Sequence, residues 1–172
     1  MKKIILSVII TTSLLLSGCV LSQTDTKNTD NTSDSVDNTP KNEEGLQINK
    51  KLNLSGQNLN QIPAYVFGQT DLEKLDVSNN QLSGAIQAEI RQLSNLIILD
   101  ASDNQMTGVP AEIGQLDNLQ ILDLSNNQLT GLPYELGSLQ NLKTLNISGN
   151  NYSKLDLNII QDKLPKDTII IK

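Results

Sequence analysis

Three carboxylates, Asp76, Asp100 and Asp123, recur at intervals of 24 and 23 residues. Paired carboxylates serve general acid–base and glycosidic chemistry. A group of them is also the usual oxygen donor set for a hard cation. Little else in the chain could do chemistry. Its 172 residues include no histidine and a single cysteine, Cys19. A Ser-His-Asp or Cys-His arrangement is therefore impossible, and so are zinc sites built from Cys and His clusters.

The balance of charge narrows the partners. Formal net charge is −6 and the sequence pI is about 4.5. Phosphate recognition needs a basic face, so nucleic acid is excluded as a partner. Aromatic residues make up 2% of the chain, with no tryptophan, so a core must come from Leu, Ile and Val.

The N-terminus reads MKKIILSVIITTSLLLSGCV. Lys2 and Lys3 precede an apolar run over 4–16, the layout of a secretory signal. That run is too short to span a bilayer as a helix, which needs about 20 residues. Its end, Leu16-Ser17-Gly18-Cys19, resembles the lipobox of bacterial lipoproteins. The resemblance implies cleavage before Cys19, lipid attachment to that residue, and acyl chains such as palmitate. Two or more chains anchor a protein stably where one is marginal. Val20 after the cysteine resembles lipoproteins sorted to an outer membrane, where there is one.

Residues 20–45 are rich in Thr, Asn, Asp and Ser. Val36 is the only large apolar residue after Leu21, and such a stretch cannot offset its own chain entropy. It reads as a disordered tether, on the order of 30 Å in root-mean-square reach. The expected organisation is a signal over 1–18, lipidated cysteine and tether over 19–45, and a folded domain over 46–172.

The elements that position the aspartates come from a repeat. NLQILDLSNNQLTGLPYELGSLQ (118–140) is its clearest copy, and five copies run from residue 49 to about 164. Asn49, Leu72, Leu96, Leu119 and Leu142 open them, at spacings of 23, 24, 23 and 23. The fourth-position column is Leu52, Leu75, Leu99, Leu122 and Leu145. The sixth is Leu54, Val77, Ala101, Leu124 and Ile147. Alternation of this kind is a half-buried strand. One unit cannot bury its own apolar face, so units must stack around a shared core. The ninth column is Gln57, Asn80, Asn104, Asn127 and Asn150, suited to bonding backbone where the chain leaves the strand.

The pattern L-x-x-L-x-L-x-x-N-x-L at this period resembles the leucine-rich repeat. The resemblance implies an α/β solenoid, a right-handed superhelix with a parallel sheet on its concave face and short helical or 3₁₀ turns on its convex face. A C-terminal cap over 153–172 is expected, with a short helix at 158–163 and a final strand at 168–171.

In such a repeat, positions 3, 5, 7 and 8 face outward on the concave side. Position 3 then holds Lys51, Lys74, Ile98, Ile121 and Thr144, and position 5 holds Asn53, Asp76, Asp100, Asp123 and Asn146. Ile98 and Ile121 are expected to show a small apolar patch to solvent, between two lysines and a row of acids. Exposed apolar groups rimmed by charge mark contact sites. Two β-branched neighbours could equally serve cross-strand packing. Stacked aspartates repel, so the lysines and the position-7 serines Ser55, Ser78, Ser102, Ser125 and Ser148, or a cation, must offset them. A flat column seldom supplies the six to eight oxygens of a calcium site.

The expected function is protein binding through this face, using Lys51, Lys74, Asp76, Ile98, Asp100, Ile121 and Asp123. The module would be anchored to a bacterial cell envelope through Cys19, with no cofactor, no metal and no enzymatic activity. A constitutive structural or assembly role in the envelope is the alternative. A carboxylate-dependent enzyme is the third reading, and an open sheet desolvates its acids poorly.

Overall fold

The computed structural model describes residues 45–172. The expected signal, Cys19 and the tether up to residue 44 lie outside the described residues. No helix among the described residues is long and apolar enough to cross a membrane.

Each copy contributes one three-residue strand: β1 (Lys51–Asn53), β2 (Lys74–Asp76), β4 (Ile98–Asp100), β6 (Ile121–Asp123) and β7 (Thr144–Asn146). The cap adds β8 (Ile169–Ile171). All six pair in parallel, in the order β1-β2-β4-β6-β7-β8. A second, two-stranded parallel sheet joins β3 (Ser83–Gly84), which follows β2, to β5 (Gln105–Met106), which follows β4.

The register follows the repeat. Leu52, Leu75, Leu99, Leu122, Leu145 and Ile170 stand side by side across the main sheet. Leu75, Leu99, Leu122 and Leu145 are fully buried in one continuous core with the sixth-position column. Burying each such side chain contributes roughly 1.5–3 kcal/mol. The asparagine column binds the coils together. The Nδ2 of Asn104 donates to the carbonyls of Val77, Ala101 and Ser102, and its Oδ1 accepts from the Leu82 amide. Asn80, Asn127 and Asn150 repeat the arrangement one coil apart. Gln57 breaks the column in the first coil.

The convex side carries four 3₁₀ turns, Ala64–Gly68, Ala88–Gln92, Ala111–Gln115 and Tyr134–Ser138. Pro63, Gln87, Pro110 and Pro133 each precede one in extended conformation. Successive turns stack tightly: a Cβ at Gly114 would collide with the Glu135 carbonyl.

The cap differs from expectation at the start of its helix and, by one residue, at the start of its strand. Its helix α1 spans Lys154–Lys163, starting four residues before the expected 158. The reason is local. The Ser153 side chain caps the helix by accepting from the Asp156 amide, and Asp156 itself lies in the first turn. An acid at the helix start and Lys163 at its end both suit the helix dipole. Leu157 and Ile160 are buried beneath α1, which packs on the turn Tyr134–Ser138. Strand β8 then closes the β7 edge, with Ile170 packed against the core.

Candidate partner-binding face

The structure brings all seven expected contact residues onto one face of the main sheet, opposite the leucines. Lys51, Lys74, Ile98 and Ile121 are neighbours in register. So are Asn53, Asp76, Asp100, Asp123 and Asn146. Adjacent strands lie about 4.8 Å apart, which sets the spacing of both rows.

The aspartate row is tied back to its own strands by serine. In each copy the position-5 Oδ1 accepts both the amide and the hydroxyl of the serine two residues on. For Asp100 these bonds to Ser102 are 3.0 and 2.7 Å. Asp76 does the same with Ser78, and Asp123 with Ser125. Asp123 Oδ2 also accepts from Asn146 Nδ2 at 2.9 Å. Burial nevertheless raises the Asp100 carboxyl above the ordinary range; the Ser102 bonds oppose the rise, and Asp123 and Asp76 on either side add to it. The serine bonds thus offset only part of the cost of holding this charge. Turning each Oδ1 back toward its own chain leaves a poor cation cage. No group of three or more His, Cys, Asp or Glu placed to hold a metal ion exists among the described residues.

The isoleucines depart from expectation. Ile98 and Ile121 stand outside the continuous core, on the concave side, but they are not open: 1% and 2% of their surfaces are exposed. They pair directly with each other, and each is flanked on its other side, by Lys74 and by Thr144. Cross-strand packing between β-branched neighbours accounts for part of this cover. The expected solvent-facing patch at these two residues is therefore corrected. Ile97, one position earlier, is half-buried.

The open apolar surface of this face lies at the cap. Strand β8 continues both rows, with Ile169 beside Thr144 and Ile171 beside Asn146. These side chains are 53% and 37% exposed. The run Ile169-Ile170-Ile171 was legible as a strand, but its register on β7 was not. Position 8 also differs from a simple outward strand position. Gly56, Asn79, Asp103, Asn126 and Gly149 all take positive φ, from 52 to 68°. The column is a left-handed turn, which favours Gly, Asn and Asp.

Comparison with known proteins agrees with this geometry. Residues 94–133 and 117–161 match a family model described as Leucine Rich repeats (2 copies), and residues 71–93 match one described as Leucine Rich Repeat. Among solved structures, a leucine-rich repeat protein of Leptospira interrogans is 38% identical with TM-score 0.61, over 65% of this chain and 28% of that one. The plant peptide hormone receptor RGFR1, in complex with RGF2, is 34% identical with TM-score 0.57, over 71% of this chain and 20% of that one. The ectodomain of the Arabidopsis thaliana receptor kinase GASSHO1/SCHENGEN3, in complex with CASPARIAN STRIP INTEGRITY FACTOR 2, is 41% identical with TM-score 0.50, over 54% of this chain and 11% of that one. The chain thus spans under a third of the length of each of these relatives. No curated protein matches it. Repeat period, parallel sheet, asparagine column and family matches coincide, and the chain belongs to the leucine-rich repeat family.

Proposed function

We propose that this protein is a membrane-anchored protein–protein interaction module of a bacterial cell envelope, binding a protein partner through its concave face. Leucine-rich repeat domains are protein–protein interaction modules, and the fold is typically a non-enzymatic scaffold. The observation that carries the reading is the make-up of the sheet face. Exposed Ile169 and Ile171 at the cap end share it with Lys51, Lys74, Asp76 and Asp100 toward the other end. A face with apolar anchors at one end and charge at the other suits a specific partner. Two relatives named above are receptors solved with ligands, which fits a binding role. The anchor rests on the sequence alone: the lipobox-like Leu16-Ser17-Gly18-Cys19 behind an apolar run.

Capture from envelope extract tests the face. The full chain is compared with an Ile169→Glu/Asp76→Lys variant of equal thermal melt. A partner held by the wild type and lost from the variant supports the reading. A partner held equally by both moves the site off the concave face. Cys19→Ser tests the anchor: the protein should leave the membrane fraction, and labelled palmitate should no longer be incorporated. Retention of Cys19→Ser in the membrane would remove the lipoprotein assignment. A constitutive envelope role is the second reading, favoured if protease added to intact cells leaves the protein whole.

A further inference from the structure

Two columns of the repeat break at one place. Ala64, Ala88 and Ala111 occupy one column, and its fourth member is Tyr134. Pro63, Gln87, Pro110 and Pro133 occupy the column before it, and its fifth member is Asp156. Stacking of the last two coils brings these exceptions together. The Tyr134 hydroxyl donates to Asp156 Oδ1 at 3.4 Å. The other oxygen, Oδ2, lies over Gly131, 3.7 Å from where a Cβ would stand.

A shallow, open depression of about 430 Å³ lies at this point, on the flank of the solenoid. Thr107, Gly108, Thr130, Gly131, Tyr134, Glu135 and Asp156 are among the residues that line it. Neither lysine nor arginine lines it. Two carboxylates therefore stand beside an aromatic ring, in a lining that also holds the hydroxyls of Thr107 and Thr130 and the apolar Val109, Leu132 and Pro133. The hydroxyl bond ties the last convex turn to the start of α1 but does not bury the tyrosine. Asp156 serves the start of α1, but the Tyr134 ring stays 47% exposed where three equivalent coils carry only a methyl group.

We propose that this open depression on the flank takes an arginine side chain of a partner protein. A guanidinium is planar, stacks on an aromatic face and pairs with a carboxylate through parallel N–H bonds. Tyr134 supplies the face and Asp156 the carboxylate, held in place by the tyrosine hydroxyl; Glu135 adds negative charge at the rim. The site is separate from the concave face and stands or falls independently of it.

The test uses the full chain and the blocked peptide acetyl-Gly-Arg-Gly-amide, followed by amide chemical shifts. Saturable shifts are expected at Gly108, Thr130 and Gly131. Tyr134→Ala and Asp156→Asn should each weaken binding about tenfold, the scale of one charge-assisted contact. Tyr134→Ala restores the residue of the other coils, and Asp156→Asn keeps the amide that Ser153 caps, so both should fold. Unchanged binding by either variant, or no saturable shift at these amides, overturns the proposal. Equal binding of the lysine analogue overturns the guanidinium assignment. Shifts with an N-acetylglucosamine trimer but not with the arginine peptide would make the depression a saccharide site instead.

Discussion

Asn127 donates through Nδ2 to the carbonyl of Ala101, 3.0 Å away and 26 residues earlier in the chain. The same nitrogen bonds the carbonyls of Leu124 and Ser125, and Oδ1 accepts from the Met106 amide. One buried side chain therefore satisfies four backbone groups in two coils. Replacing it with leucine strands those groups, each at a cost of about 1–3 kcal/mol when left unpaired. Asn127→Leu should lose roughly 3 kcal/mol or more in urea unfolding. Gln57→Leu, at the same column but exposed in the first coil, should change stability by less than about 0.5 kcal/mol. Equal losses at both positions would mean that the column does not bind coil to coil.

Asp100 has the opposite character, because its charge opposes the fold. Its folded pKa is raised by burial and by the carboxylates on either side. The folded protein therefore binds this proton more readily than the unfolded chain. The penalty is absent below the unfolded pKa, grows as pH rises through the raised folded value, and is complete above it. Asp100→Asn should remove it. The substitution is compatible with the local bonding, since Asn53 and Asn146 already accept from Ser55 and Ser148 at the same position. Asp100→Asn is expected to raise stability by about 0.5–1 kcal/mol at pH 7, with the gain vanishing toward pH 3. Melting temperatures across that range check the sign. A gain that persists unchanged at low pH would remove the charge from the explanation.

The repeat was legible because its physics is one-dimensional. A column of leucines at a fixed period states both the strand and its neighbours, so Leu75, Leu99, Leu122 and Leu145 locate the core without further information. The convex turns and the role of the asparagines followed from the same columns. What depends on the non-repeating cap was harder to read. The true start of α1 was written in Ser153 and Asp156, but the repeat pattern runs through those residues and masks the capping signal. The placement of Ile169 and Ile171 on the concave face required the β7–β8 register, which no repeat specifies. The cover over Ile98 and Ile121 was not legible either. Alternation tells which side of a sheet a residue occupies, not how much solvent reaches it there.

Close stacking of the convex turns makes a further measurable demand. At Gly114 an added methyl group meets the backbone carbonyl, carbon and Cβ of Glu135 in the next coil. Backbone cannot rotate away as a flexible side chain would, so the two turns must separate. Gly114→Ala should cost about 1–3 kcal/mol, the range for overpacking a filled interior. Gly68 ends the first convex turn, where nothing lies within 4 Å of the added atom. Its backbone lies outside the left-handed region, so alanine is tolerated there. Gly68→Ala should be neutral or stabilising by about 0.5 kcal/mol, through lower entropy of the unfolded chain. Thermal and denaturant melts of the two variants read the difference. A loss at Gly68 as large as that at Gly114 would show that glycine is needed in these turns for its backbone freedom, not for the distance between coils.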